Sequence, residues 1–119
     1  MIVLVTGGRN YQDRDCVFDN LDVVHQVQPI TLLIEGGARG ADRLAREWAI
    51  SRGIRYETMN AEWERHGRAA GHIRNGEMLD RNPRILVAFS GGRGTDNCCE
   101  QAAARRIPTF FAKPIRNPT

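Results

Sequence analysis

Five short apolar runs recur along the chain, each separated from the next by a stretch of helical periodicity, and this alternation limits the fold more than any other feature. Ile2 to Thr6, Thr31 to Ile34 and Ile85 to Phe89 are rich in β-branched and aromatic residues and read as buried strands. Arg55 to Met59 is less apolar, as suits a strand near an edge, and Thr109 to Ala112 is a short last strand. Ile85 to Phe89 is the most apolar of the five and is expected to be central. Between them, Asp13–Gln26 carries Val17, Phe18, Leu21, Val24 and His25 on one helical face, and Gly40–Ser51 carries Ala41, Leu44, Ala45, Trp48 and Ala49. Ala69–Arg81, with Ile73, Met78 and Leu79 inward, and Thr95–Arg106 supply the last two helices. Asn60 to Arg68 reads as a polar connection carrying Trp63, and a frayed, Pro-containing tail follows Ala112. Strand and helix alternating at this spacing imply βαβ units with right-handed crossovers. The expected fold is α/β, a Rossmann-like three-layer sandwich on a five-stranded parallel sheet in the order 3-2-1-4-5, with residues 1–119 as one domain.

Composition removes several classes of function. A chain of 119 residues with 41% hydrophobic and 26% charged residues suits one globular core. Met1 leads into Ile2-Val3-Leu4-Val5 without a basic n-region, which reads against a secretory signal, and no apolar run is long enough to cross a bilayer. The expectation is a soluble, cytoplasmic protein with no membrane partner. Cys16, Cys98 and Cys99 lack CxxC spacing, and His25, His66 and His72 lack any ligand spacing, so neither a metal nor a cofactor is expected. The cysteines read as buried or half-buried thiols. Lys113 is the sole lysine among 17 Lys and Arg residues, which leaves the positive charge to arginine, the side chain whose planar fork grips phosphate.

The arginines matter through their position beside glycines. Gly7-Gly8-Arg9 follows strand 1, Gly36-Gly37-Ala38-Arg39-Gly40 follows strand 2, and Gly91-Gly92-Arg93-Gly94-Thr95 follows strand 4. In a parallel sheet all three loops lie at the carboxyl edge, where open α/β sheets bind ligands. Glycine lets backbone N–H groups approach an anion, and the following helices aim their positive ends at the same crevice. Any one Gly-Gly turn is as readily explained by turn geometry; three, each with an arginine, favour a phosphate site. The P-loop pattern GxxxxGK[ST] is absent, and Asn97 stands where a dinucleotide fingerprint needs its third glycine.

Further residues are candidates for the crevice. Gly67-Arg68-Ala69-Ala70-Gly71 brings Arg74 and Asn75 to one helical start, with Arg74 the stronger candidate and Arg68 equally a surface charge. Asp42 either caps the second helix or accepts a ribose hydroxyl. Trp63 either stacks on a base or anchors a loop by packing. Ser90 lacks a GxSxG setting and reads as a loop residue.

Taken together, Gly7-Gly8-Arg9-Asn10-Tyr11, Gly36-Gly37-Ala38-Arg39-Gly40-Ala41-Asp42, Gly67 to Gly71 with Ile73-Arg74-Asn75, and Gly91 to Thr95 resemble the SLOG superfamily. That Rossmann-like group holds the Smf/DprA proteins and the LONELY GUY phosphoribohydrolases. The resemblance is strongest to its small YspA/YpsA-related branch of bacteria and their phages. It implies a nucleotide-derived ligand in the crevice and, often, a homodimer. The chain departs from the branch at Asn10, where Asp is usual, at Glu35, where His is usual, and at His72 and Ser90, where Pro is frequent. The glutamate of the LONELY GUY motif PGGxGTxxE is replaced here by Cys98, which leaves Glu35, at the end of strand 2, as the candidate catalytic acid.

Three functions follow in order of expectation. The first is binding or sensing of a phosphate-bearing nucleotide or derivative by Gly7, Gly8, Arg9, Gly36, Gly37, Arg39, Gly40, Asp42, Arg74, Asn75, Gly91, Gly92, Arg93, Gly94 and Thr95. The second is a nucleoside-monophosphate N-glycosidase using Glu35, by analogy with glycoside cleavage. The third is single-stranded DNA binding, which the aromatic content of 7% and net charge of +3 favour least.

Overall fold

The computed structural model describes residues 1–116; residues 117–119, the end of the expected tail, lie outside the described residues. The apolar runs form β1 (Ile2–Thr6), β2 (Leu32–Glu35), β3 (Arg55–Thr58), β4 (Ile85–Ala88) and β5 (Thr109–Phe111). All neighbouring pairs are parallel, and the order β3-β2-β1-β4-β5 is the one expected. β3 is an edge strand, as its polarity implied. β4 lies inside the sheet, but the middle strand is β1.

Parallel strands need crossovers, which here are α1 (Arg14–Val27), α2 (Ala41–Arg52), a short α3 (Trp63–His66) leading into α4 (Ala70–Leu79), and α5 (Arg93–Ala104). Alternate residues of the strands point to opposite faces and both faces are covered, which is why the strands read as continuous apolar runs. Val3, Val5, Leu33 and Val87 pack with Val17, Leu21 and Trp48 of α1 and α2. Leu4, Ile34 and Leu86 pack on the other side with Met78, Leu79, Cys98 and Ala102 of α4 and α5. Cys16 and Cys98 are buried and Cys99 is half-buried, all as free thiols.

Two expectations are corrected. The connection after β3 is not all loop: it holds α3 and one turn of 3-10 helix at Gly67–Ala69, both too short to leave a periodic signal. Ile73 is not inward but 37% exposed, and the buried polar residue of α4 is Asn75. Five residues separate Ile73 from Met78, placing it about 140° around the helix, whereas Asn75 lies three residues from Met78 on the same face.

Each loop at the carboxyl edge is packed against the next. Gly40 has φ +82°, and a Cβ there would drive into the carbonyl group of Gly8; Gly53 has φ +68° with open space around it. Gly53→Ala should lose about 1–2 kcal/mol, the left-handed backbone penalty alone. Gly40→Ala should lose about 1–3 kcal/mol beyond that, through overpacking. Urea unfolding of the two variants checks the difference, and equal losses would show that the loops do not press on each other.

Candidate functional site

The crossovers turn to opposite faces on either side of the boundary between β1 and β4, so the edge of the sheet opens there into a crevice. The loops after β1, β2 and β4 meet at this edge through backbone hydrogen bonds. The N–H of Gly8 donates to the Ser90 carbonyl at 2.9 Å, and the Gly8 carbonyl accepts from the N–H of Ala41 at 3.1 Å and of Tyr11 at 3.2 Å. A cleft of about 380 Å³ lies in front of them, within the range of small-ligand pockets. Thr6, Gly7, Gly8 and Arg9 line it from β1, Ala38 and Asp42 from the β2 side, and Gly92 to Thr95 from the start of α5. Trp63, Arg68, Gly71, His72, Arg74 and Asn75 form the remaining wall.

The three loops differ in what their amides do. After β2, the N–H of Gly37 donates to Glu35 Oε1 at 2.7 Å and that of Ala38 to Asp42 Oδ2 at 3.2 Å, and the first amide of α2, Ala41, is taken by Gly8. These donors are already partnered. After β4, the helix cap is Gly92, which has no side-chain cap bond, and the first bond of α5 runs from Asp96 N–H to the Gly92 carbonyl. The N–H groups of Arg93, Gly94 and Thr95 precede that first bond and therefore have no partner within the helix. Side chains at Gly92 and Gly94 would enter open space. The exposed donor end of the cleft is thus the amino terminus of α5, where partial positive charge gathers.

Charge reinforces this. Several arginines elsewhere pair with carboxylates, as Arg52 does with Asp22 and Arg81 with Glu57, holding both acids below their usual range through hydrogen bonds to the guanidinium groups. Among the described residues, Arg9, Arg68, Arg74 and Arg93 of the cleft have no such partner. Arg74 donates through Nη1 to the Gly36 carbonyl and through Nε to Asn75 Oδ1 at 3.1 Å. Asn75 Nδ2 in turn reaches the Gly94 carbonyl at 3.1 Å and Asn97 Oδ1 at 3.2 Å, tying α4 to the first turn of α5.

Comparison with known proteins assigns the chain to a family. Residues 1–66, from β1 through α3, match the YspA, cpYpsA-related SLOG family. The Gene 61 protein of Mycobacterium phage D29 is 40% identical over 124 aligned residues, which cover 94% of this chain and 98% of that protein. The chain belongs to the YspA, cpYpsA-related SLOG family. Family membership carries the general expectation of a nucleotide-related ligand.

Within this SLOG fold, ten of the expected site residues share the cleft wall: Gly7, Gly8, Arg9, Asp42, Arg74, Asn75, Gly92, Arg93, Gly94 and Thr95. Others stand elsewhere. Arg39 points to the surface, where its Nη2 donates to Asn10 Oδ1 at 3.3 Å, because the left-handed turns at Gly37 and Gly40 swing it away. Gly36, Gly37, Gly40 and Gly91 serve close packing instead: a Cβ on Gly36 would meet the Arg74 guanidinium, and one on Gly91 would meet the Thr95 hydroxyl. Arg74 and Asn75 sit in the middle of α4, since that helix begins at Ala70. Trp63, a candidate for the crevice from its sequence position, stands on the wall together with Gly71 and His72, which belong to the stretch from Gly67 to Asn75.

The carboxylates correct two roles. Glu35 is fully buried, with its oxygens taken by the Gly37 amide and the Thr58 hydroxyl, so it braces the β2 loop and does not face the cleft. Asp42 is the second residue of α2, not its cap, and bonds back to the amides of Ala38 and Gly36. Cys98, which stands at the LONELY GUY glutamate position, lies under Thr6 with its thiol pushed up to about 12 by burial. It is no nucleophile at neutral pH.

Burial pushes Asp42 up to about 7, with the Ala38 amide opposing and the Glu35 carboxylate adding to the rise. Its folded value exceeds the ordinary 3.8, so ionisation favours the unfolded chain. The stability it contributes is complete below about pH 4 and is lost as pH rises through about 7. Asp42→Asn keeps an oxygen for the Ala38 amide and removes that loss. Its unfolding free energy should therefore fall less than the parent's between about pH 4 and 7. Urea titrations across that range measure this, and matching slopes would refute it.

Proposed function

We propose that the cleft binds a phosphate-bearing nucleotide or nucleotide derivative, and that the protein is a binding or sensing module for it. The observation that carries this reading is the open first turn of α5, flanked by the unpaired Arg9 and Arg93 within a ligand-sized cleft. A phosphate there receives the amides of Gly94 and Thr95 as well as two guanidinium groups. The donors are held in place before binding by the Asn75 bridge and by the interlocked loops, which limits the entropy lost on association. The family expectation of a nucleotide-related ligand points the same way.

One observation favours a second reading, cleavage of the N-glycosidic bond of the bound nucleotide. Asp42 lies on the cleft wall with its carboxyl pushed up to about 7 by burial, a range suited to proton donation, whereas Glu35 is walled off. Release of free base from AMP, lost in Asp42→Asn, would support it; intact AMP after long incubation leaves binding as the function. A strand of stacked bases is poorly served, since the cleft offers a single indole among the described residues.

Thermal and urea unfolding with a panel of nucleoside 5′-monophosphates, cyclic nucleotides and ADP-ribose tests the main reading. A true ligand at a hundredfold excess over its Kd stabilises the fold by about 2.7 kcal/mol. Arg93→Ala should weaken binding by about 1.5–3 kcal/mol through the lost charged hydrogen bonds. The same change at Arg39 should leave binding unaltered. An unresponsive panel, or equal effects of the two substitutions, would overturn the proposal.

A further inference from the structure

The chain has two tryptophans in opposite circumstances. Trp48 is fully buried between α2 and the sheet, and its Nε1 donates to Asp22 Oδ1 at 2.8 Å. Trp63 is 53% exposed, belongs to neither core cluster, and makes no hydrogen bond through its indole nitrogen among the described residues. It opens α3 on the wall of the cleft, and the edge of its six-membered ring passes Gly71 closely enough that an added Cβ would be 3.5 Å from Cη2. A packing anchor would be covered by apolar neighbours, and this side chain is not. An indole about half exposed on the wall of such a cleft is an aromatic surface without an aromatic or hydrogen-bonding partner among the described residues.

The cleft supplies the rest of the argument. Its volume of about 380 Å³ is far larger than a phosphate needs, so a phosphate on α5 leaves room for the remainder of its molecule. Trp63, Arg68 and His72 line the same cleft as that first turn of α5. A planar π-system stacks on an indole whatever its edge presents, and a guanidinium alongside adds a cation to the same faces.

We propose that Trp63 is the stacking platform for the nucleobase, so that the ligand joins a phosphate on α5 to a base lying on the indole. This rests on the phosphate reading above. Recognition through the base face favours purines over pyrimidines by stacking area, with little reading of the base edge.

The two tryptophans make the test direct. Binding of AMP and CMP, and of ribose 5-phosphate as a base-free probe, is followed by tryptophan fluorescence and by thermal shift in the parent, Trp63→Phe, Trp63→Leu and Trp63→Ala. AMP should quench the parent's emission more than CMP does, and ribose 5-phosphate should stabilise the fold without quenching. Trp63→Phe should hold AMP within about threefold of the parent affinity, because a ring remains, yet lose the quench, because only buried Trp48 still emits. Trp63→Leu and Trp63→Ala should each lower AMP affinity by about tenfold or more and leave ribose 5-phosphate unchanged. The Leu variant keeps apolar bulk should the Ala variant fail to fold. Equal losses for both ligands would make Trp63 a wall support and overturn the proposal. So would AMP and ribose 5-phosphate binding alike with no quench, although the phosphate reading would then stand. If neither binds, both readings fall together.

Discussion

The peptide groups of Gly8 hold the site together. The N–H of this residue reaches the β4 loop at Ser90, and its carbonyl receives the first amide of α2 and that of Tyr11. Three chain segments far apart in sequence are thereby fixed at one edge by short main-chain bonds, which leave no room for side chains between them. Backbone polar groups buried at such a junction must find partners, and here they find one another. The glycines around the junction are accordingly explained by loop-on-loop contact, and that contact makes the cleft floor rigid.

Rigidity alone would not distinguish one loop from another; the distribution of acceptors does. Glu35 and Asp42 turn their carboxyl groups back onto the amides between Gly36 and Ala38, so these donors of the β2 loop are already partnered. At the β4 loop the charged side chain is Arg93 and the donors of α5 remain open. The donors that these carboxylates occupy are therefore spent, whereas the first turn of α5 keeps its partial positive charge unopposed by such a partner. Asp42 illustrates the expense of this layout: buried beside Glu35, it keeps its proton up to about neutral pH.

Much of the fold was legible from local pattern. The polar edge strand β3, the helical stripes of α1 and α2 and the Gly-rich turns after β1, β2 and β4 all stand where periodicity put them. The pattern failed where an element spanned little more than one turn, as with α3, and where a polar residue was worth burying. Asn75 occupies the inward face of α4 because it finds Gly94 and Asn97 on α5, partners about twenty positions away. Nothing beside Asn75 in the chain announces them.

The sequence by itself determined the sheet, its parallel sense and the edge at which the glycine-rich loops gather. Those follow from hydrophobic periodicity and from the handedness of crossovers, which act over neighbouring residues. Only the tertiary structure decided which groups at that edge remain available: Arg39 turned outward to Asn10, Glu35 sealed inside, Trp63 left on the wall. Whether a donor, an acceptor or an aromatic face is free depends on the partners that folding brings to it from distant parts of the chain.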